Sequence, residues 1–170
     1  MKALVDYTLI WSQPKGMRSE YELRFGNDLV ATLKFPKMLS SNAVAEGGDG
    51  SWEVERVGVF DTAIRIRRAG HEEFVATYTP RIFKSADVVQ LEGGKTLELR
   101  HNFWRANYEL RAETGEVLME LQSRGFFKYF VDVKTYRKAL QYEEWPSLVI
   151  LVFYVMLMAR RDAATHSAVH

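Results

Sequence analysis

The chain reads as a mainly β protein: a closed antiparallel barrel of about a dozen strands around one hydrophobic helix near the C-terminus. Two observations predict it. From Leu4 to Val133 apolar residues recur with a period of two, broken about every 8 to 12 residues by turn chemistry. Then Leu148 to Ala159 (LVILVFYVMLMA) is apolar or aromatic without interruption. At 170 residues and 47% hydrophobic the chain has material for one sizeable core, so residues 1–162 are expected to form a single domain and the polar stretch 163–170 a disordered tail.

In chain order, Met1 to Asp6 carries an acid by its sixth residue and gives way to a polar Ser12–Glu20 stretch, which is not the apolar core of a signal peptide. Leu29, Ala31, Leu33 and Phe35 alternate with Val30, Thr32 and Lys34, so the first set is expected to face a core, and Pro36 ends the strand. Ser40 to Gly50 (SSNAVAEGGDG) has three glycines and little to bury, and is expected to be a mobile surface loop. Trp52 and Val54 fall out of phase with Val57 and Val59, which predicts a β-bulge near Glu55-Arg56.

Alternation returns at Ile64 and Ile66, at Trp104, Ala106, Tyr108 and Leu110, at Val117, Met119 and Leu121, and at Phe127, Tyr129, Val131 and Val133. Hairpin turns are expected at Phe25-Gly26-Asn27-Asp28, Ala69-Gly70-His71, Glu92-Gly93-Gly94-Lys95 and Glu113-Thr114-Gly115-Glu116. Tyr21-Glu22-Leu23-Arg24 followed by Leu29 to Leu33 is echoed by Tyr108-Glu109-Leu110-Arg111 followed by Val117 to Leu121, and more weakly by Ile64 to Arg67 followed by Phe74 to Tyr78. We read this echo as a mark of hairpins with one wet face.

The helix has defined ends. Glu143 and Glu144 lie at its positive pole, Pro146 suits its first turn, and Arg160 and Arg161 lie at its negative pole. Between them it is apolar on all sides, which requires protein or lipid all round. The run is shorter than the roughly 20 residues a bilayer needs, so a buried core helix is expected and not a transmembrane span. A barrel of about a dozen strands has room for it, whereas an eight-stranded barrel is filled by its own side chains.

Many short strands, hairpins of the Tyr-x-Leu-Arg…Gly…Val form and a closing apolar helix that ends in Ala159-Arg160-Arg161-Asp162 resemble the tubby C-terminal-like superfamily, nearest to the LURP-one-related proteins and the phospholipid scramblases. The resemblance runs from about Leu4 to Asp162. It implies a twelve-stranded antiparallel barrel with a central hydrophobic helix, and a non-enzymatic binding role at membranes, since tubby proteins hold phosphoinositide headgroups. The chain departs from the scramblases in having no cysteine to acylate and no calcium-loop run of Asp, Asn and Gly.

Composition narrows the chemistry. With 23 Lys+Arg against 22 Asp+Glu there is no global field to attract nucleic acid. The absence of cysteine removes disulfides, thiolate chemistry and Cys-ligated metals, and fits a reducing cytoplasm. No Gly-x-Ser-x-Gly elbow occurs. His71, His101, His166 and His170 show no metal-site spacing, so neither a metal nor another cofactor is expected. His101 reads as a strand-end residue, and Gly93-Gly94-Lys95-Thr96 as a hairpin, since a strand follows it where a phosphate loop needs a helix.

The remaining candidate is a basic cluster: Arg65, Arg67 and Arg68, with Arg81 and Lys84 beyond the Pro80 turn. Converging arginines hold phosphate bidentately, so the cluster is expected to grip an anionic lipid headgroup or a phosphorylated ligand. Against this, wet strands ordinarily carry charge, and Glu72 and Glu73 are close enough in sequence to neutralise it. The expected role is a cytoplasmic binding module, peripheral at the inner membrane face, whose partner is a phosphoinositide or other anionic lipid. The alternatives are a protein partner, or a scramblase-like protein whose helix leaves the barrel for lipid.

Overall fold

The computed structural model describes residues 1–14, 19–37, 40–47, 49–58, 62–81, 85–102, 106–125 and 129–167. The strands are β1 Thr8–Ser12, β2 Glu20–Phe25, β3 Asp28–Lys34, β4 Ala43–Gly47, β5 Gly50–Val57 and β6 Ala63–Arg68. They continue as β7 Phe74–Thr79, β8 Asp87–Leu91, β9 Thr96–His101, β10 Asn107–Ala112, β11 Val117–Arg124 and β12 Phe130–Thr135. Each pairs antiparallel with its neighbours in sequence, and β1 closes on β12 from Thr8↔Lys134 to Ser12↔Phe130. The result is a closed twelve-stranded barrel, in which no strand keeps an open edge.

A short 3-10 turn, Arg137–Gln141, leads into helix α1, Trp145–Ser167. Every residue from Trp145 to Met158 is buried, so the barrel wall surrounds this stretch of the helix on all sides. Phe153 is the hub. Its ring stacks on Trp11 at 4.3 Å and meets Tyr21 edge-on at 5.5 Å. Small inward residues, Ala31, Ala43, Ala45 and Ala76, give the helix its room. Gly47 lies so close to β3 that an added Cβ would sit 3.1 Å from the Val30 carbonyl.

Four expectations are corrected. Leu29 is 52% exposed, because Leu23 pairs with Ala31 while Arg24 pairs with Leu29, which leaves Val30 as an unpaired bulge and turns Leu29 outward. No bulge occurs at Glu55-Arg56, since β5 and β6 stay in register from Trp52↔Arg68 to Val57↔Ala63. The phase there is held by Arg56, which takes the inward position next after Trp52 and Val54. Of the expected 40–50 loop, Ala43–Gly47 is strand β4, with Ala43 and Ala45 buried. The helix runs on to Ser167, so most of the expected disordered tail is helical, and residues 168–170 lie outside the described ones. Val59, Trp104 and Phe127, expected in strands, also lie outside the described residues.

The sequence echo has a structural counterpart. Bulges occur at Val30, Val75 and Leu118, each opposite a Leu-Arg or Ile-Arg step. The hairpins that carry them, β2–β3, β6–β7 and β10–β11, lie four strands apart around the ring. In each the residue before the bulge pairs with the arginine: Leu29 with Arg24, Phe74 with Arg67 and Val117 with Arg111.

Phe153→Ala should lower stability by about 3–5 kcal/mol in urea unfolding, as for other large core truncations. Leu29→Ala should stay within about 0.5 kcal/mol, as for an exposed position. A loss at Leu29 as large as at Phe153 would contradict the outward register.

Candidate functional site

The barrel has two unlike rims, set by the direction of α1. At the rim where α1 enters, strands join through tight turns with Gly26, Gly70, Gly94 and Gly115 at positive φ. These turns, with the residues leading into α1, carry Glu72, Glu73, Glu92, Glu113, Glu116, Glu143 and Glu144 against Lys95, Arg137 and Lys138. At the rim where α1 leaves lie the longer connections that follow β1, β3, β5, β7, β9 and β11. Among the described residues there, Lys37, Arg81, Arg160 and Arg161 have no carboxylate within salt-bridge distance.

Aromatic rings support two of these cations. The Arg160 guanidinium lies 4.1 Å from the Tyr129 ring centre and that of Arg161 lies 3.8 Å from Phe35. Burial pushes the hydroxyls of Tyr129 and of nearby Tyr154 up to about 12, so neither becomes an anion that would neutralise the arginines at ordinary pH. Arg56, on the inward phase of β5, donates to Asp162 of α1 at 2.9 Å and fastens the last turns of the helix to the wall. A cavity of about 230 Å³ beside this pair is lined by Ile64, Tyr78, Val155 and Met158, and its one ion pair is internally satisfied.

Two buried or capping groups hold the connections of the exit rim. Asp87, 5% exposed, accepts the Tyr78 hydroxyl at 2.8 Å and the Arg81 amide at 2.7 Å, and faces His101 Nε2 at 3.6 Å. Burial alone would raise its pKa, but His101, the Arg81 amide and Tyr78 together hold the carboxyl below its ordinary value. The Asn102 side chain accepts the amides of Ala106 at 2.8 Å and Asn107 at 3.2 Å. Asp87 and His101 look like half of a hydrolytic triad. Yet the ring nitrogen that points away from Asp87, Nδ1, sits 3.1 Å from the Asn102 carbonyl, so a backbone acceptor stands where a triad places its nucleophile. No group of His, Asp and Glu among the described residues could hold a metal ion.

Of the basic cluster read from sequence, Arg65 and Arg67 come together on one ring while Arg68 and Arg81 lie at opposite rims. Arg65 and Arg67 project from the wet face of β6 and lie 5.3 and 5.5 Å from the Phe74 ring, which the Val75 bulge turns outward. Arg67 is also bound to Glu53 at 2.9 Å, and Arg65 pairs in register with Glu55. Arg68 sits at the entry rim over Trp52 and lines a cleft with Glu92, Glu143 and Glu144. Arg81 is at the opposite rim, the length of a six-residue strand away, about 20 Å. Lys84 lies outside the described residues. Lys37 was missed because it is a lone base after a proline, and Arg160 and Arg161 were read only as partners of the helix pole. Asp87 gave a weak signal, an acid that opens a Val-Val strand.

No protein-family model matches the chain, and no curated protein matches it. A protein from Arabidopsis thaliana solved by X-ray crystallography superposes with a TM-score of 0.57 at 15% identity, over 91% of this chain and 96% of that one. At that identity the likeness is one of fold, and it covers barrel and helix together.

Asp87 contributes stability in full above the unfolded carboxylate range and loses it as pH falls through its lowered folded pKa. Asp87→Asn should therefore cost about 1–3 kcal/mol at neutral pH, the usual worth of hydrogen bonds to a buried charge, and should flatten the acid side of the stability profile. Urea unfolding of both proteins across acid and neutral pH reads both effects. Equal stability at neutral pH would remove Asp87 from its clamping role.

Proposed function

We propose that the chain is a non-enzymatic binding module of the tubby-like, LURP-one-related kind that its sequence resembles, acting in the cytoplasm at the inner membrane face on an anionic phosphate-bearing ligand. One observation carries this reading: Lys37, Arg81, Arg160 and Arg161, with no carboxylate partner among the described residues, are gathered at the rim where α1 leaves the barrel, while carboxylates crowd the other rim. Cations without carboxylate partners are free to meet phosphate.

The scramblase-like alternative, in which the helix moves into lipid, is the less supported reading. Extraction would strip the wall from the buried Trp145 to Met158 stretch, and no helix among the described residues is long and apolar enough to cross a membrane. A protein partner is the second reading. Tyr7, 53% exposed, packs edge-on against Phe25 at 5.2 Å at the acidic rim near outward Leu29, an apolar spot with acidic surroundings.

Co-sedimentation with phosphatidylcholine vesicles, with and without phosphoinositide, at low and moderate salt, tests the proposal. Binding is expected to need the anionic lipid and to weaken with salt. Arg65→Ala/Arg67→Ala should leave it unchanged within about twofold, because both stand on the outer face of β6 away from the exit rim and Arg67 is held by Glu53. Absence of binding to every vesicle would end the anionic-ligand reading and leave the protein partner.

A further inference from the structure

We infer that the exit rim meets its ligand as a plane: the barrel stands end-on on a bilayer carrying anionic lipid, with α1 along the membrane normal, and reads surface charge rather than one headgroup. This rests on the anionic-ligand reading above and names the source of the anion.

The cations are arranged for a surface and not for a pocket. Lys37 follows β3, Arg81 follows β7, which is four strands further round the ring, and Arg160 and Arg161 rise on the central helix. Their charges thus lie at two points of the wall and on the helix between, instead of lining one cavity. Among the described residues the charges lining the nearby cavity are Arg56 and Asp162, which satisfy each other.

Helix electrostatics do not account for the whole set. A helix C-terminus carries roughly half a negative charge, which Arg160 and Arg161 already offset. Lys37 and Arg81 are exposed and surplus to it. With the entry rim acidic, the two rims give the protein a moment along the helix axis. A negative plane turns such a moment basic side down, although the net charge is only +1.

The rim also has the chemistry of an interface. Arg160 and Arg161 cap the largely buried rings of Tyr129 and Phe35, and Phe130, which opens β12 at the same rim, is 36% exposed. Cationic heads over apolar bodies settle at headgroup level.

The test uses the full chain and vesicles of phosphatidylcholine alone, with phosphatidylserine, and with phosphoinositide at matched surface charge, alongside soluble inositol phosphate. Phosphatidylserine and phosphoinositide vesicles should bind alike and the soluble phosphate should not compete. Lys37→Gln/Arg81→Gln should weaken binding about 30-fold, from the usual worth of a base near an anionic surface. Arg137→Gln/Lys138→Gln, which removes the same charge at the entry rim, should change it by less than about threefold, the effect of distant screened charge.

Preference for phosphoinositide with competition by inositol phosphate would keep the anionic-ligand reading and overturn end-on docking in favour of a headgroup pocket. Equal losses in the two double variants, or loss only in Arg65→Ala/Arg67→Ala, would overturn end-on docking in the same way. No binding to any vesicle or to the soluble phosphate would end both.

Discussion

An apolar helix with no wet face constrains everything else in this fold. From Trp145 to Met158 there is no side on which α1 can meet water, so the chain must supply a wall on every side. A sheet covers one face of a helix, and only a closed sheet covers all of them. Twelve strands make a ring wide enough, and the alanines at inward positions of β3, β4 and β7 take up what would otherwise be too little room. The stack of Phe153 on Trp11 ties the last element of the chain to the first strand, and the β1–β12 ladder closes the ring beside it. Closure and helix burial therefore depend on each other.

Bending a sheet into such a ring needs local twist, and the bulges at Val30, Val75 and Leu118 are spaced to provide it evenly. Each bulge has a second consequence on the outer surface: it turns an apolar residue outward beside an arginine. In two of the three hairpins that arginine is also paired with the glutamate two residues before it, Glu22 with Arg24 at 2.7 Å and Glu109 with Arg111 at 2.9 Å. In the third, Arg65 stands where the glutamate would be, and Glu53 from β5 takes its place beside Arg67. Two members of the basic cluster read from sequence, Arg65 and Arg67, thus also belong to a recurring bracing arrangement.

The barrel and its helix were legible because their signals are global: many strands of period two, and one run with no period at all. What failed to read out was local. A single extra residue at Val30 reverses Leu29, and no propensity marks where a bulge falls. Arg56 broke the apparent phase of β5 because it sits inward at the rim, where Asp162 of the helix satisfies it. Ala43 to Gly47 was too small and too rich in glycine to look like a strand, yet smallness is what β4 needs to lie against the helix. The cationic rim was illegible for a different reason. Lys37, Arg81 and Arg160 are far apart in the chain, and only the up-and-down order of the strands brings them to one end.

That order is also what gives the charge distribution its direction. In a closed meander successive connections alternate between the two rims, so charge placed in every second connection accumulates at one end while the total stays near zero. The helix points the same way. Its positive pole lies among Glu143 and Glu144 and its negative pole among Arg160 and Arg161, so rim and dipole are locally complementary. Enclosing the helix in a dry barrel weakens solvent screening of that dipole along its length, which makes counter-charge at the rims worth more than on an exposed helix. The stability of the buried helix and the polarity of the surface thus have one origin. Cations beyond the few that the helix pole employs are then the part of the pattern that folding does not account for, and that surplus, at Lys37 and Arg81, is where a partner of opposite charge has something to hold.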